Sequence, residues 1–222
     1  MRQHFVRRSG GRKLIVFTLG WGADHRVVEH ILPDGYDAVC LYDYRDAATL
    51  GNLPLEFSPT DYDRCHLFAW SFGVWAAERI FEGARFTRAV AFNGTPYPVH
   101  ERYGIEPRRM SVTIRGIVAA GTDAFARRAY GDRYGEMKGI LFPRPAGENI
   151  AELEALDAAS REPYTPSLGW NKAVVGSQDA IFPPHNMEHY WREVAKIETE
   201  TLPLYHYPFT RTEILKNELE RE

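Results

Sequence analysis

Short runs of apolar residues, each ending at a glycine or a polar turn, alternate with segments of helical periodicity along most of the chain. Apolar runs of this length are typical of strands that are buried on both faces of a sheet. The predicted strands comprise residues 14–19, 38–42, 65–70, 88–92, 170–175 and 199–204. Helical spacing predicts helices at residues 24–32, 74–81 and 184–196. The alternation predicts an α/β fold with a mostly parallel central sheet flanked by helices.

The pattern changes between residues 97 and 167, where arginine-rich helical segments carry scattered glycines and prolines and no apolar run is typical of a buried strand. We interpret this stretch as a helical lid inserted into a single domain of residues 1–222, since 222 residues suit one large domain. After the last predicted strand, Thr210 and Glu213 have the spacing of a capping box that begins a final helix.

Composition and charge exclude several classes of protein. With 44% hydrophobic and 26% charged residues, the chain is neither disordered nor fibrous. A net charge of −3 provides no overall electrostatic footprint for nucleic acid. Cys40 and Cys65 lie in apolar runs, which indicates buried thiols in a reducing compartment. No apolar run reaches the ~18 residues of a membrane span, so we expect a cytoplasmic protein with no membrane partner. We also expect a monomer.

The strongest chemical motif is Ala69-Trp70-Ser71-Phe72-Gly73, which lies between a predicted strand and a predicted helix. It is close to the G-x-S-x-G nucleophile elbow, in which the nucleophilic serine occupies a sharp strand-to-helix turn. Such a turn needs small side chains two residues before and two residues after the serine, and Ala69 and Gly73 meet that need. The pentapeptide alone leaves open that Ser71 merely caps the following helix.

An activated serine also needs a base and a carboxylate that orients the base. In α/β-hydrolases the three residues come in the order Ser, Asp, His. Asp179 follows the predicted strand at 170–175, and His206 follows the last predicted strand. The order and the position after strands predict a Ser71–Asp179–His206 catalytic triad.

A tetrahedral intermediate requires two N–H donors for its oxyanion, commonly the residue after the nucleophile and one from an early strand-to-helix loop. Phe72 and Trp21 are the candidates. Glycines on both sides of Trp21 allow its backbone to approach a ligand closely, although the same sequence also suits a plain glycine-rich turn.

Four motifs together resemble the BioG family: the Gly20-Trp21-Gly22-Ala23-Asp24 turn, the segment around Ser71, Asn93-Gly94-Thr95-Pro96-Tyr97-Pro98 and Tyr205-His206-Tyr207-Pro208-Phe209. The similarity extends from about residue 14 to residue 209. It implies an α/β-hydrolase fold and a pimeloyl-acyl-carrier-protein methyl ester esterase of biotin synthesis that uses no cofactor. It makes Ser71 the nucleophile, Asp179 the acid and His206 the base. Ala69 departs from the first glycine of the general elbow.

The residues alone leave two other functions open. One is a general carboxylesterase or thioesterase with the same triad, and the other is a catalytically silent module that binds an acyl carrier. On the esterase interpretation the apolar acyl chain would lie beneath lid residues such as Ile117, Phe125 and Leu141.

The predicted lid has a local excess of positive charge. Residues 101–146 hold nine basic and five acidic side chains, whereas the rest of the chain is acidic overall. We predict that Arg127, Arg128 and Arg133 dock the acidic acyl carrier protein, because complementary charge speeds encounter and fixes orientation. The alternative is an ordinary solvated helix face.

Two other motifs resemble catalytic or metal sites but lack support. The segment His185-Asn186-Met187-Glu188-His189 matches a zinc pattern of metalloproteases, yet no third ligand is evident in the sequence after it. Cys65 and His66 are neighbours within a strand, so their side chains point to opposite faces. We therefore expect neither a metal site nor a catalytic thiol.

Overall fold

A seven-stranded sheet forms the centre of the computed structural model, which describes residues 1–210 and 213–220. The strands are β1 (Arg2–Arg7), β2 (Lys13–Thr18), β3 (Asp37–Tyr42), β4 (Arg64–Trp70), β5 (Arg88–Phe92), β6 (Lys172–Gly176) and β7 (Glu198–Leu202). Their order across the sheet is β1-β3-β2-β4-β5-β6-β7. Every neighbouring pair is parallel except β1 with β3. The predicted α/β fold with a mostly parallel sheet is confirmed.

The first strand has no counterpart among the predicted strands. β1 lies at the sheet edge, where its residues are exposed or half-buried and none is buried. It therefore lacks the continuous apolar run that marks β3, in which all six residues are buried. An edge strand with so little apolar content leaves only a weak pattern in the sequence.

Seven α-helices are described in residues 1–210 and 213–220. They are α1 (Phe72–Ile80), α2 (Pro107–Ala120), α3 (Asp123–Tyr130), α4 (Tyr134–Met137), α5 (Ala146–Ser160), α6 (Pro184–Glu188) and α7 (Glu213–Leu219). A π-helix, His189–Ala195, continues directly from α6, so the predicted helix at 184–196 changes its hydrogen bonding halfway. The predicted capping box before α7 includes residues 211 and 212, which lie outside the described residues.

The predicted helix at residues 24–32 is wrong. Two 3₁₀-helices stand there instead, His25–Val27 and Glu29–Ile31. The Asp24 carboxylate accepts a hydrogen bond from the Arg26 backbone N–H at 3.1 Å, which starts a tight turn. At the other end Leu32 is extended, as a residue before a proline prefers to be. Between them Val28, with φ −122° and ψ −9°, departs from helical geometry and separates the two 3₁₀-helices.

Residues 97–167, the insertion, leave the sheet between β5 and β6 and contain α2 to α5 without a strand. An isolated bridge joins Val99 and Ile105 near its start. Aromatic side chains fasten the insertion to the turn after β2, since Phe125 and Phe142 pack on Trp21 with ring centroids 5.0 and 4.7 Å away. The insertion therefore lies over the carboxyl ends of the strands, where an open α/β sheet carries its site.

In the described part of the chain, no helix is both long enough and apolar enough to cross a lipid bilayer.

Candidate active site

Ser71 occupies the turn between β4 and α1 in an unusual backbone conformation, with φ 60° and ψ −129°. Such values are costly for a residue with a side chain and are kept only where the surrounding structure enforces them. The Ser71 N–H donates to the Phe92 carbonyl oxygen at 2.9 Å. Its side chain makes no capping hydrogen bond to α1. The interpretation of Ser71 as a helix cap is therefore wrong, although the residue stands at the N-cap position.

The turn around Ser71 depends on small neighbours. A Cβ atom on Gly73 would lie 2.0 Å from the Thr18 carbonyl oxygen, so no larger residue fits there without moving β2. Ala69 lies in the sheet opposite Thr18 on one side and Ala91 on the other. The structure thus requires a glycine at position 73. At position 69 it accommodates alanine in place of the first glycine of the general elbow.

His206 lies between Ser71 and Asp179 and makes a hydrogen bond to each. The distance from His206 Nε2 to Ser71 Oγ is 2.9 Å, and that from His206 Nδ1 to Asp179 Oδ2 is 2.8 Å. Because an Asp179 carboxylate is an acceptor, Nδ1 carries the proton and Nε2 is free to accept from the serine hydroxyl. The three residues are only 2–6% exposed. The structure thus brings together the three side chains that the sequence places far apart.

The second carboxylate oxygen of Asp179 is held by the backbone that follows it. Oδ1 accepts from the N–H groups of Ile181 at 2.7 Å and Phe182 at 3.0 Å. The Phe182 ring lies parallel to the His206 imidazole with a centroid separation of 5.8 Å. These contacts fix the carboxylate and restrict the imidazole to one plane.

Two residues that the sequence analysis did not single out for this role hold the backbone of His206. Its carbonyl oxygen accepts from Trp70 Nε1 at 2.8 Å and from Asn93 Nδ2 at 2.9 Å. Asn93 Oδ1 also accepts from the Gly176 N–H at 2.6 Å. One signal was available in the sequence, because Asn93 directly follows a buried strand and precedes a glycine. Its φ of 45° is a conformation that asparagine adopts more readily than most residues.

Trp21 and Phe72 both line the cavity that contains Ser71 and His206. Phe72 begins α1, where backbone N–H groups have no partner within the helix. Trp21 follows Gly20, and a Cβ atom on Gly20 would lie 3.4 Å from Ser71 Oγ. Both residues are therefore near the serine, and their role as oxyanion donors stays a prediction.

The cavity beside Ser71 has a volume of about 220 Å³ and is mostly apolar. Of the three residues expected to cover an acyl chain, Phe125 and Leu141 line it. Ile117 does not. It faces a separate cavity next to Phe142 and Ile150, because α2 turns that side of its helix toward α5.

The arginines of the insertion have different environments. Arg127 pairs with Asp123 at 2.8 Å and Arg133 pairs with Glu136 at 2.8 Å, each within one helical turn. Arg128 lines the cavity and forms no hydrogen bond or ion pair with any described residue. Arg144, one of the nine basic residues counted in the sequence, is buried and cannot contribute to a surface charge.

One further arginine lines the cavity. Arg109 on α2 donates to the Ala180 carbonyl oxygen at 2.6 Å, just beyond Asp179. The cavity therefore combines apolar walls with two guanidinium groups, those of Arg109 and Arg128.

The sequence analysis also considered a cysteine motif and a histidine motif, at Cys65-His66 and at His185–His189. Within the described residues, no group of three or more His, Cys, Asp and Glu side chains could hold a metal ion. Burial raises the pKa of Cys65 to about 12 and lowers the pKa of His66 to about 4, so the thiol stays protonated and the imidazole stays neutral at pH 7.

Comparison with known proteins gives one family model, described as Pimeloyl-ACP methyl esterase BioG, which matches residues 1–215. An uncharacterized protein of Haemophilus influenzae is 37% identical over 207 residues, covering 90% of this chain and 91% of that protein. A malonyl-[acyl-carrier protein] O-methyltransferase of Bacteroides fragilis is 32% identical over 189 residues, which cover 82% of this chain and 37% of that longer protein.

Solved structures agree with the fold. The crystal structure of BioG from Haemophilus influenzae matches with a TM-score of 0.84 and 33% identity, covering 95% of this chain and 96% of that one. An esterase from Exiguobacterium antarcticum matches with a TM-score of 0.71 and 14% identity over 97% of this chain and 93% of that one. The predicted α/β-hydrolase fold is confirmed.

Proposed function

The chain belongs to the BioG family, and on that premise we propose that it is a serine esterase of biotin synthesis. Its substrate is the methyl ester of a pimeloyl group carried on an acyl carrier protein. The observation that carries the proposal is the hydrogen-bonded line from Asp179 through His206 to Ser71.

The first half of the reaction forms an acyl-enzyme. Ser71 Oγ attacks the ester carbonyl carbon while His206 Nε2 takes the hydroxyl proton, and Asp179 stabilises the imidazolium that results. The carbonyl oxygen of the ester becomes negative and accepts hydrogen bonds from the Trp21 and Phe72 N–H groups. The tetrahedral intermediate then expels methanol, which leaves with the proton held on His206.

The second half releases the acid. A water molecule gives its proton to His206 Nε2 and attacks the acyl carbon, and a second tetrahedral intermediate forms in the same oxyanion site. Collapse returns the proton to Ser71 Oγ and frees the pimeloyl carboxylate on its carrier. One water is consumed and one methanol is produced, and no cofactor takes part.

The lining of the cavity suits a substrate that has an apolar acyl chain and is attached to a carrier protein outside the cavity. Phe125 and Leu141 provide apolar walls beside Ser71, so the insertion serves as a lid over the acyl chain. Arg128 has no partner among the described residues and stands with Arg109 on the same cavity. We assign Arg127, Arg128 and Arg133 to docking of the acidic carrier, with Arg128 carrying most of the effect because the other two are already neutralised by Asp123 and Glu136.

Covalent labelling tests whether Ser71 is activated. A fluorophosphonate should modify the wild-type protein once, at Ser71, and should fail to modify Ser71→Ala. Ser177→Ala is the matched control, since Ser177 is exposed and also follows a strand, and it should be labelled like the wild type. Absence of labelling in the wild type would leave only the silent carrier-binding module.

Substrate preference tests the finer part of the proposal. The wild-type protein should hydrolyse carrier-linked pimeloyl methyl ester with a higher kcat/KM than free short esters. Equal values for both substrates would identify a general carboxylesterase. Release of free carrier thiol instead of methanol would identify a thioesterase.

A further inference from the structure

The turn that follows β2 is held in place by the insertion. Trp21 Nε1 donates to the Asn149 carbonyl oxygen at 2.7 Å. The Phe142 N–H donates to the Gly22 carbonyl oxygen at 2.8 Å. The Gly22 N–H donates to Glu152 Oε2 at 3.1 Å. Thus Phe142, Asn149 and Glu152, all in the insertion, bind two successive residues of the turn that supplies one of the two proposed oxyanion donors.

Glu152 is the one charged partner among the three. It is 0% exposed, and its Oε1 accepts from the Tyr44 N–H at 2.9 Å. The Arg144 guanidinium donates to Oε2 and also pairs with Asp43 at 3.0 Å. A carboxylate at this depth needs such partners, because burying an unpaired charge is strongly unfavourable. The ion pair with Arg144 explains how Glu152 is tolerated but not why it is bonded to Gly22.

The bond to Gly22 acts on the peptide next to the proposed oxyanion donor. Fixing the Gly22 N–H fixes the plane of the Trp21–Gly22 peptide, and the indole bond to Asn149 fixes the Trp21 side chain. With its side chain and its following peptide both held, Trp21 has less freedom to rotate, and this limits the directions open to its own N–H in the preceding peptide. Displacement of a donor by about 1 Å is enough to lower a rate by about a hundredfold.

We propose that Glu152 is a positioning residue for the oxyanion site: through the Gly22 N–H it directs the Trp21 N–H at the oxygen that becomes negative on attack by Ser71. The inference rests on the proposed function, since it assumes an ester and a serine nucleophile. It assigns a catalytic consequence to α5, which otherwise only covers the site.

Glu78 provides a matched comparison for a purely structural role. It is a buried carboxylate, 3% exposed, on α1. It also accepts three donors, the N–H groups of Ser167 at 2.8 Å and Leu168 at 3.1 Å and the indole Nε1 of Trp170 at 2.7 Å. None of the three lines the cavity beside Ser71. Shortening either Glu78 or Glu152 by one methylene should therefore disturb the fold to a similar extent. Only the change at Glu152 affects a residue next to Trp21.

The experiment compares Glu152→Asp and Glu78→Asp with the wild type on a small soluble ester and on its thionoester, in which C=S replaces C=O. Sulfur is a weak hydrogen-bond acceptor, so a thionoester gains little from the oxyanion donors. Glu152→Asp keeps the charge for Arg144 but withdraws from Gly22. We expect kcat for the ester to fall about tenfold to a hundredfold with little change in KM. The thionoester should lose much less, so the ester/thionoester ratio falls.

Glu78→Asp should lower Tm comparably and leave kcat and the ester/thionoester ratio unchanged. If Glu152→Asp does not fold, the double variant Arg144→Met/Glu152→Met takes its place in the experiment. Replacing a buried ion pair by apolar side chains of similar size is often tolerated, while Asp43 keeps its bonds to Arg45. This variant lacks any acceptor for Gly22 and should show the same fall in the ratio.

An unchanged ester/thionoester ratio in either folded Glu152 variant would overturn the inference. So would an equal fall in the Glu78→Asp variant, because the effect would then be general. Failure of the proposed function is distinguishable from both results, since it would appear in the wild-type protein as absence of fluorophosphonate labelling at Ser71.

Discussion

The indole Nε1 of Trp70 donates to the backbone carbonyl oxygen of His206 at a distance of 2.8 Å. Trp70 is the last residue of β4 and directly precedes Ser71. The end of β4 therefore both holds the backbone of His206 and carries Ser71, whose hydroxyl is hydrogen-bonded to the His206 imidazole. Asn93, directly after β5, donates to the same carbonyl oxygen at 2.9 Å. The position of His206 therefore depends on the two strands beside it as well as on Asp179.

We predict that removing the Asn93 amide misplaces His206. Asn93→Gly is the suitable change, because glycine accepts the φ of 45° and the side chain is removed without straining the backbone. Loss of the bonds to the Tyr205 and His206 carbonyl oxygens and to the Gly176 N–H should lower kcat about tenfold or more with a small effect on KM, since a base slightly out of position transfers protons slowly. Steady-state kinetics on a small ester measures this.

Asn186→Ala is the matched control for that change. The Asn186 side chain also bridges two backbone carbonyls, those of Glu101 at 3.0 Å and Gly104 at 2.8 Å, but not in the cavity beside Ser71. It should lower Tm without lowering kcat. If Asn93→Gly keeps full kcat, the amide has no part in positioning His206.

Acid should destabilise the fold through His66. Burial lowers the pKa of its imidazole to about 4, and neither ring nitrogen has a hydrogen-bond partner among the residues that the structure describes. The unfolded chain, with a pKa of about 6.5, binds the proton more readily. The contribution to stability is therefore complete above pH 6.5 and is lost as the pH falls from 6.5 toward 4. The resulting loss of unfolding free energy is about 3 kcal/mol at pH 4.

Denaturant unfolding at pH 7.5 and pH 4.5 checks this prediction in the wild type and in His66→Phe. The phenyl ring should continue the stack with Phe68 and remove the proton-linked loss. The difference in unfolding free energy between the two pH values should thus be smaller in the variant by about 2–3 kcal/mol. Identical pH dependence in both proteins would exclude His66 as a source of acid instability.

Charge reversal at Arg128 should act only on the large substrate. Arg128→Glu is expected to lower kcat/KM for the carrier-linked ester about tenfold or more, because charge at an interface governs encounter and orientation. Arg127→Glu and Arg133→Glu should have smaller effects, as their charges are paired within the insertion. Hydrolysis of a small ester should not change in any of them.

Ionic strength and a distant arginine are the controls for that series. Raising salt from 0.01 M to 0.15 M shortens the Debye length from about 30 Å to about 8 Å, so wild-type activity on the carrier-linked ester should fall toward that of Arg128→Glu. Arg12→Glu should behave like the wild type, because Arg12 directly precedes β2 and so lies at the amino ends of the parallel strands, away from Ser71. Equal losses on both substrates would show that Arg128 supports the active site instead of docking.

Much of the site was predictable from the sequence because its parts have local signatures. A buried strand followed by a small-residue turn marks Ser71, and Asp179 and His206 likewise follow strands. Parallel strands bring such positions to one edge of the sheet. The order of the three residues along the chain then suffices to predict their grouping.

What the sequence did not reveal depends on contacts between distant segments. Glu152 and Gly22 are 130 residues apart, and nothing local to α5 indicates that its carboxylate binds the turn after β2. Arg144 counted as a surface charge because its burial depends on Asp43 and Glu152. Ile117 is apolar, as a residue that lines the acyl cavity should be, but the packing of α2 on α5 directs its side chain toward a different cavity. In each case tertiary packing decides the role.

The central claim is that Ser71 is the nucleophile of an enzyme that hydrolyses a carrier-linked methyl ester. The most direct test measures methanol release from carrier-linked pimeloyl methyl ester by the wild type and by Ser71→Ala. We predict that the substitution lowers kcat by about four orders of magnitude or more while Tm stays near the wild-type value, because loss of the nucleophile disables the whole triad. A folded Ser71→Ala protein that keeps more than about a tenth of the wild-type rate would contradict the claim, since loss of the nucleophile of a triad should cost far more than tenfold.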